Sequence, residues 1–73
     1  MTDTEKQKEC DRIGLRIAEI RKEHGLTQTE LANMTGLGQG HIARIEQGKY
    51  NIQIDTLGLI AEAFGMTIDF VRK

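Results

Sequence analysis

The chain of 73 residues contains no proline, no tryptophan, one cysteine, two phenylalanines and one tyrosine. A single cysteine excludes an intramolecular disulfide. A chain of this length lies near the lower limit at which one hydrophobic core can stabilise a fold without disulfides or metals. The core must therefore come from helix packing alone. Cys10 lies in a charged segment with no residue at metal-ligand or catalytic spacing beside it, so we interpret it as an incidental exposed thiol.

The sequence also lacks long apolar runs and groups of residues at catalytic spacing. No apolar stretch approaches the roughly 20 residues of a membrane span, and no charged and then apolar leader opens the chain, so we expect a cytoplasmic protein without a membrane partner. The two histidines are far apart in sequence, and no glycine-rich phosphate loop is present. These absences argue against an enzyme and indicate no cofactor, no metal and no small-molecule ligand.

Apolar side chains are nearly absent from the opening segment after Met1. Because apolar burial must offset the entropy of ordering the chain, we expect residues 1–10 to form a flexible tail and residues 11–73 to form a single domain. A helical period begins near Cys10 or Asp11, with isoleucines at i, i+4 and i+7 spacing, namely Ile13, Ile17 and Ile20. Gly25 is placed to end this helix.

The central segment predicts two short helices joined by a glycine turn. Thr27 and Glu30 have the spacing of a capping box, so a helix should begin at Gln28. Gly36 is placed to end that helix, because only glycine reaches positive φ without steric cost. A second helix carries Leu37, Ile42 and Ile45, and the small residue Ala32 allows the two helices to cross closely. Such a pair can present one helix to DNA.

The remainder of the chain predicts two further helices. The first has one apolar face and ends at Gly65, its apolar residues being Leu57, Ile60, Ala61 and Phe64. Thr67 can cap a last short helix that carries Ile68, Phe70 and Val71. The expected fold is all-α, with five helices and no strand.

Six residues in the segment from Gln28 to Gln47 are spaced as in a known DNA-binding motif. In this spacing the chain resembles the helix-turn-helix of the phage repressor and Cro-like (XRE-type) family of small transcriptional regulators. The six residues are Gln28, Ala32, Gly36, Leu37, Ile42 and Ile45. The similarity continues through Ile13–Gln28 and Asn51–Val71, and covers about sixty of the 73 residues. The resemblance implies a compact lambda-repressor-like bundle and sequence-specific binding to double-stranded DNA, as in a repressor.

In helix-turn-helix proteins the N-terminal residues of the second helix lie against base edges in the major groove. Here that recognition helix spans about residues 38–47, and its candidate base contacts are Gln39, Gly40, His41 and Arg44. Glutamine can bond adenine and arginine can bond guanine, each through two hydrogen bonds. The alternative for each polar residue is a plain solvated side chain on an exposed helix face.

Helix N-termini and nearby donors are suited to phosphate. The candidates here are Thr27 and Gln28 at one helix start, and Lys49, Tyr50 and Asn51 in the loop after the recognition helix, and the alternative for Lys49 is a solvated lysine. The family resemblance also implies a structural ion pair, because an arginine late in the first helix and a glutamate late in the recognition helix pair in such proteins. Arg21 and Glu46 occupy those places.

The charge balance argues against strong DNA binding. The formal net charge is −1 with a pI near 6.1, and the only segment with a basic excess is 13–50, with five basic and four acidic side chains. Gly38 and Gly40 stand where the family usually has larger polar residues, although Gly38 is acceptable as an N-cap. The alternative function is therefore a protein-interaction module, of antitoxin or anti-regulator type, with weak or no DNA binding.

Apolar side chains off the core stripes indicate a partner surface or simple scatter. The candidates for a homodimer surface are Ile52, Leu59, Met66 and Phe70, with Gly58 permitting close approach. A two-fold dimer would place two recognition helices about 34 Å apart and would require a palindromic operator.

Overall fold

Four α-helices make up the protein in the computed structural model, which describes all residues from 1 to 73. They are α1 (Asp3–Glu23), α2 (Gln28–Thr35), α3 (Gln39–Glu46) and α4 (Ile54–Ala63), and there is no strand. α3 packs against both α1 and α2, and α2 also packs against α4. The expected all-α class is confirmed, but the number of helices is four and not five.

A single cluster of buried apolar side chains holds the helices together, and every helix contributes to it. Full burial of a leucine or isoleucine contributes about 1.5–3 kcal/mol, so these side chains dominate the stability of so small a chain. None of the four helices combines the length and apolar character needed to span a bilayer. The buried cluster comprises Ile17, Ile20, Leu31, Ala32, Ile42, Ile45, Ile60 and Phe64.

The start of α1 differs from the sequence-based expectation, because the helix begins at Asp3 and includes most of the segment expected to be a flexible tail. Thr2 and Glu5 form a capping box, in which the Glu5 N–H donates to Thr2 Oγ1 over 3.2 Å. Gln7 also bonds to the distant carbonyl of Gly48. Capping and a polar tertiary contact thus support helical residues that have no apolar face, which a search for apolar periodicity cannot detect.

The turn between α2 and α3 has the expected boundaries. The Glu30 N–H donates to Thr27 Oγ1 over 3.0 Å, and the Thr27 N–H donates to Glu30 Oε1 over 2.9 Å, so α2 begins at Gln28. Gly36 ends α2 in the left-handed conformation, with φ of 76°. Ala32 is buried in the core cluster, and α2 packs against α3. The helix-turn-helix is therefore built from the residues whose spacing predicted it.

Gly14 allows α1 to lie directly against the end of α3. A Cβ atom at this position would lie 2.9 Å from the Glu46 carbonyl oxygen and closer still to that of Ile45. Only glycine fits such an approach, so Gly14 sets the distance between the first helix and the recognition helix. No turn or helix end marks the position, so the sequence gives no local signal for this role.

The predicted fifth helix is absent, and the chain has no regular structure after Gly65. Val71 is largely exposed, Phe70 is fully exposed and Ile68 is 43% exposed, so a short helix here would gain little burial within this chain. Nucleating a helical turn is unfavourable without such packing, and β-branched residues such as Thr67, Ile68 and Val71 lower helix propensity further. The prediction of a helix capped by Thr67 was therefore wrong.

Candidate nucleic-acid interface

The outer face of α3 carries the side chains that were candidates for reading bases. Gln39, Gly40 and Arg44 are exposed and His41 is partly exposed. Ile42 and Ile45, on the opposite face, are fully buried, while Leu37 before the helix is partly buried against the same core. The core thus fixes which face of α3 is turned to solvent, and nothing in the fold covers Gln39 or Arg44.

Arg21 and Glu46 anchor α3 to α1. Arg21 Nε and Nη2 donate to the two carboxylate oxygens of Glu46 over 2.7 and 3.1 Å, and Arg21 Nη1 donates to the Leu26 carbonyl over 2.7 Å. The Arg21 and Glu46 side chains are only 10% and 6% exposed. The hydrogen bond and the charge of Glu46 raise the pKa of Arg21 above its ordinary value against the opposing effect of burial. The ion pair implied by the family resemblance is present.

A chain of hydrogen bonds runs from this ion pair to the first residue of α3. Gln28 Nε2 donates to Glu46 Oε1 over 3.0 Å, and Gln39 Nε2 donates to Gln28 Oε1 over 2.8 Å. A carboxylate can only accept, so Glu46 fixes the amide of Gln28 as a donor and leaves its oxygen to accept from Gln39. The network therefore determines which way both amides point.

This orientation leaves Gln39 able to read a base. One N–H of the Gln39 amide is used by Gln28, while the second N–H and the carbonyl oxygen have no partner in the protein. A donor and an acceptor side by side match N7 and N6 of adenine. Gln28, in contrast, uses one N–H and its carbonyl oxygen within the network, so only its second N–H is left without a partner in the protein.

The start of α2 offers backbone donors. The Thr27 hydroxyl is used by the cap, and its own N–H is used by Glu30. The first N–H groups of a helix have no intrahelical acceptor, so those of Gln28 and Thr29 are available to an anion. The Thr27 N–H and hydroxyl hydrogen bonds lower the pKa of Glu30 below its ordinary value, so this cap stays ionised to lower pH than a free glutamate would.

The loop after α3 carries the other candidate phosphate contacts. Lys49 and Asn51 are exposed, while Tyr50 is partly buried and its ring makes an edge contact with His41 at 4.4 Å between centroids. Tyr50 thus packs against the recognition helix. This ring contact joins the loop to α3.

Gln7 and Asp11, which no local signal in the sequence marks, act through tertiary contacts. Gln7 bonds to Gly48, and Asp11 lies directly against Gly48. Together with Gly14 they have i, i+4 and i+7 spacing, which places them on one helical face. A face of polar and small residues gives no signal in a search for apolar stripes, although its spacing is visible in the sequence.

The candidate dimer residues have different environments. Ile52 is partly buried and packs against the core, so it contributes to the fold. Leu59 and Met66 are each 45% exposed, and Phe70 is fully exposed. The structure also leaves three other apolar side chains exposed on α4 or the C-terminal segment, namely Ile54, Ile68 and Val71.

Comparison with known proteins places this geometry in a family. The helix-turn-helix family model matches residues 17–71. The chain is 39% identical over 59 residues to the immunity repressor of Bacillus phage phi105, a match covering 81% of this chain and 41% of that protein. It is 34% identical over 55 residues to an uncharacterised helix-turn-helix transcriptional regulator of Sinorhizobium fredii, covering 75% of this chain and 71% of that one. The chain thus spans less than half of the phage repressor.

Solved structures give the same fold. The restriction-modification controller protein C.AhdI from Aeromonas hydrophila superposes with a TM-score of 0.79 at 27% identity, covering 81% of this chain and 89% of that chain. The controller protein C.Esp1396I superposes with a TM-score of 0.75 at 31% identity, covering 80% and 74% of the two chains. With the turn, the ion pair and the exposed recognition helix described above, these matches show that the chain belongs to the helix-turn-helix family of transcriptional regulators, of the phage repressor and Cro-like type.

Proposed function

We propose that this protein binds a specific double-stranded DNA sequence and regulates transcription, in the manner of a repressor. The observation that carries the proposal is the exposed face of α3, on which Gln39 and Arg44 project away from a buried scaffold. The hydrogen bonds from Arg21 through Glu46 and Gln28 hold Gln39 before any DNA is bound. Such preorganisation lowers the entropy cost of binding.

Phosphate contacts complete the proposed interface. The free N–H groups at the start of α2 and the exposed Lys49 and Asn51 after α3 would contact the DNA backbone on either side of the recognition helix. These contacts would fix the register of α3 in the groove, while the side chains of α3 read the bases.

Selection from random duplex DNA followed by titration at two salt concentrations tests the proposal. A regulator gives a consensus sequence and a steep dependence of affinity on salt, because bound phosphates release counterions. No enrichment of any sequence, together with no measurable affinity at low salt, would contradict the proposal. That result would favour the second candidate below.

The second candidate function is a protein-interaction module on the same fold. The net charge of −1 favours it, because non-specific DNA affinity depends on basic excess. Gly40 favours it too, since it removes one side chain from the outer face of α3. A module of this kind would bind a protein partner through the exposed surface and show no consensus in the DNA selection.

We further propose that the protein binds its operator as a homodimer. Leu59, Met66 and Phe70 offer exposed apolar side chains on α4 and the segment after it, and Ile52, which precedes α4, is only partly buried against the core. A two-fold dimer implies a palindromic operator, with recognition helices about 34 Å apart. Sedimentation equilibrium at tens of micromolar, alone and with operator DNA, should show the dimer. A monomer under both conditions, or a consensus without two-fold symmetry, would contradict it.

A further inference from the structure

We propose that the N-terminal half of α1 positions the loop after α3, which carries the proposed phosphate contacts Lys49 and Asn51. Gln7 is the residue through which α1 acts on this loop. This inference rests on the proposed DNA-binding function, since it assigns Lys49 its role. The match to the family begins only at residue 17, so the first turns of α1 lie outside the part of the fold that the family model describes. They are nevertheless helical and in contact with the loop.

Gln7 joins α1 to the loop through its side-chain amide. Gln7 Nε2 donates to the Gly48 carbonyl oxygen over 2.8 Å and to Asp11 Oδ1 over 2.9 Å. Both N–H groups of the amide are therefore used, and Asp11 on the same helix fixes the direction in which Gln7 donates. Although Gln7 is exposed, its bond to Gly48 is partly buried.

The peptide unit between Gly48 and Lys49 is held at both ends. Its carbonyl accepts from Gln7, and its N–H, that of Lys49, donates to the Arg44 carbonyl over 2.9 Å. Because a peptide unit is planar, two hydrogen bonds on opposite sides fix its orientation. The Lys49 side chain therefore leaves the backbone in a defined direction.

Steric fit supports the same arrangement. Gly48 is buried with φ of 73°, and a Cβ atom there would lie 3.1 Å from the Cα atom of Asp11. The cleft beside the Gln7 bond is lined mostly by polar side chains, so apolar packing does not replace the bond if it is removed. Besides Gln7 and Gly48, the cleft is lined by Asp3, Lys6 and Cys10 from α1 and by Lys49, Tyr50 and Asn51 from the loop.

A double-mutant cycle tests the inference. Gln7→Ala removes the bond to Gly48 without lowering helix propensity, and Thr4→Ala, at an exposed position on the same half of α1, is the matched control because it too leaves the net charge unchanged. We expect Gln7→Ala to weaken operator binding about three- to tenfold, the effect of one lost hydrogen bond, and Thr4→Ala to have little effect. In a Lys49→Ala background, Gln7→Ala should have no further effect, because it acts through Lys49.

A measurement without DNA separates this inference from the proposed function. Hydrogen exchange of the Lys49 amide should be faster in Gln7→Ala than in the wild type, while exchange in α2 and α4 stays unchanged. Wild-type affinity for Gln7→Ala, or additive effects of Gln7→Ala and Lys49→Ala, would overturn the inference. A wild type that binds no DNA, with faster Lys49 exchange in Gln7→Ala, would instead contradict the proposed function and support the positioning of the loop. Gln7→Met, whose side chain is similar in length to glutamine but has no amide, is a second variant for the same measurements.

Discussion

Arg21 near the end of the first helix and Glu46 at the end of the recognition helix are joined by two hydrogen bonds in a nearly buried ion pair. Glu46 also accepts from Gln28, which in turn accepts from Gln39. One carboxylate therefore connects the scaffold to a side chain that faces solvent on α3. The packing of α3 against α1 and the proposed base contact of Gln39 therefore share one group.

Removing one partner of this pair should be strongly destabilising. We expect Arg21→Ala or Glu46→Ala to lower the free energy of unfolding by about 3–5 kcal/mol, because each leaves a buried charge without its partner. The double variant Arg21→Met/Glu46→Met should lose less than either single variant, since no unpaired charge remains. Urea denaturation followed by circular dichroism measures all three. Single variants with wild-type stability would show that the pair is not energetically coupled to the fold.

Two helical glycines should respond in opposite directions to the same substitution. Gly14→Ala places a Cβ atom against the backbone carbonyls of α3, and should destabilise the protein by about 1–3 kcal/mol. Gly58→Ala meets no atom within 4 Å and should stabilise α4 by up to about 1 kcal/mol. Thermal denaturation of the two variants compares them directly. An equal effect of both substitutions would mean that α1 does not approach α3 as closely as described.

Gly40→Ala separates stability from DNA binding. The position has open space around it, so alanine should stabilise α3 by up to about 1 kcal/mol. We expect weaker operator binding in spite of this, because the added methyl group lies on the exposed face where the backbone would approach the DNA. Melting temperature and a binding titration on the same preparation check both effects. Unchanged affinity would mean that Gly40 only reduces the number of base contacts.

Arg44 and Lys49 should affect DNA binding in different ways. Arg44→Ala should relax preference at one base position and lose about 1–3 kcal/mol on the consensus sequence. Lys49→Ala should weaken binding to all sequences about equally and reduce the salt slope by about one. Competition titrations with single-base variants of the selected sequence distinguish them. A Lys49→Ala variant that changes sequence preference would place that residue against a base.

The α2 cap should make stability depend on pH. Hydrogen bonds from Thr27 lower the pKa of Glu30 in the folded protein, so the stabilisation from Glu30 is present above its ordinary carboxyl pKa and is lost as pH falls through the lower, folded value. Unfolding of the wild type and of Glu30→Gln should therefore be compared from neutral pH to about pH 3. Glutamine keeps a side-chain acceptor at the cap. The difference between the two proteins should shrink on acidification, and a constant difference would contradict this role.

Much of the fold and of the candidate surface could be predicted because each signal was local. The Thr27 and Glu30 spacing located the start of α2, and Gly36 located its end. The inward periodicity of Ile42 and Ile45 placed Gln39 and Arg44 on the outside of α3. The apolar periodicity was less informative at both ends of the chain, where residues 3–10 are helical without an apolar face and residues 67–71 are not helical despite having one.

The amino-acid sequence by itself determined the helix-turn-helix, because caps, glycine turns and apolar spacing act between residues close together in the chain. Only the tertiary structure decided that Gly14 sets the distance between α1 and α3, that Gln7 holds the loop at Gly48, and that Gln28 orients Gln39. These contacts join residues between 11 and 41 positions apart. Their geometry arises when the helices pack, and no local propensity encodes it.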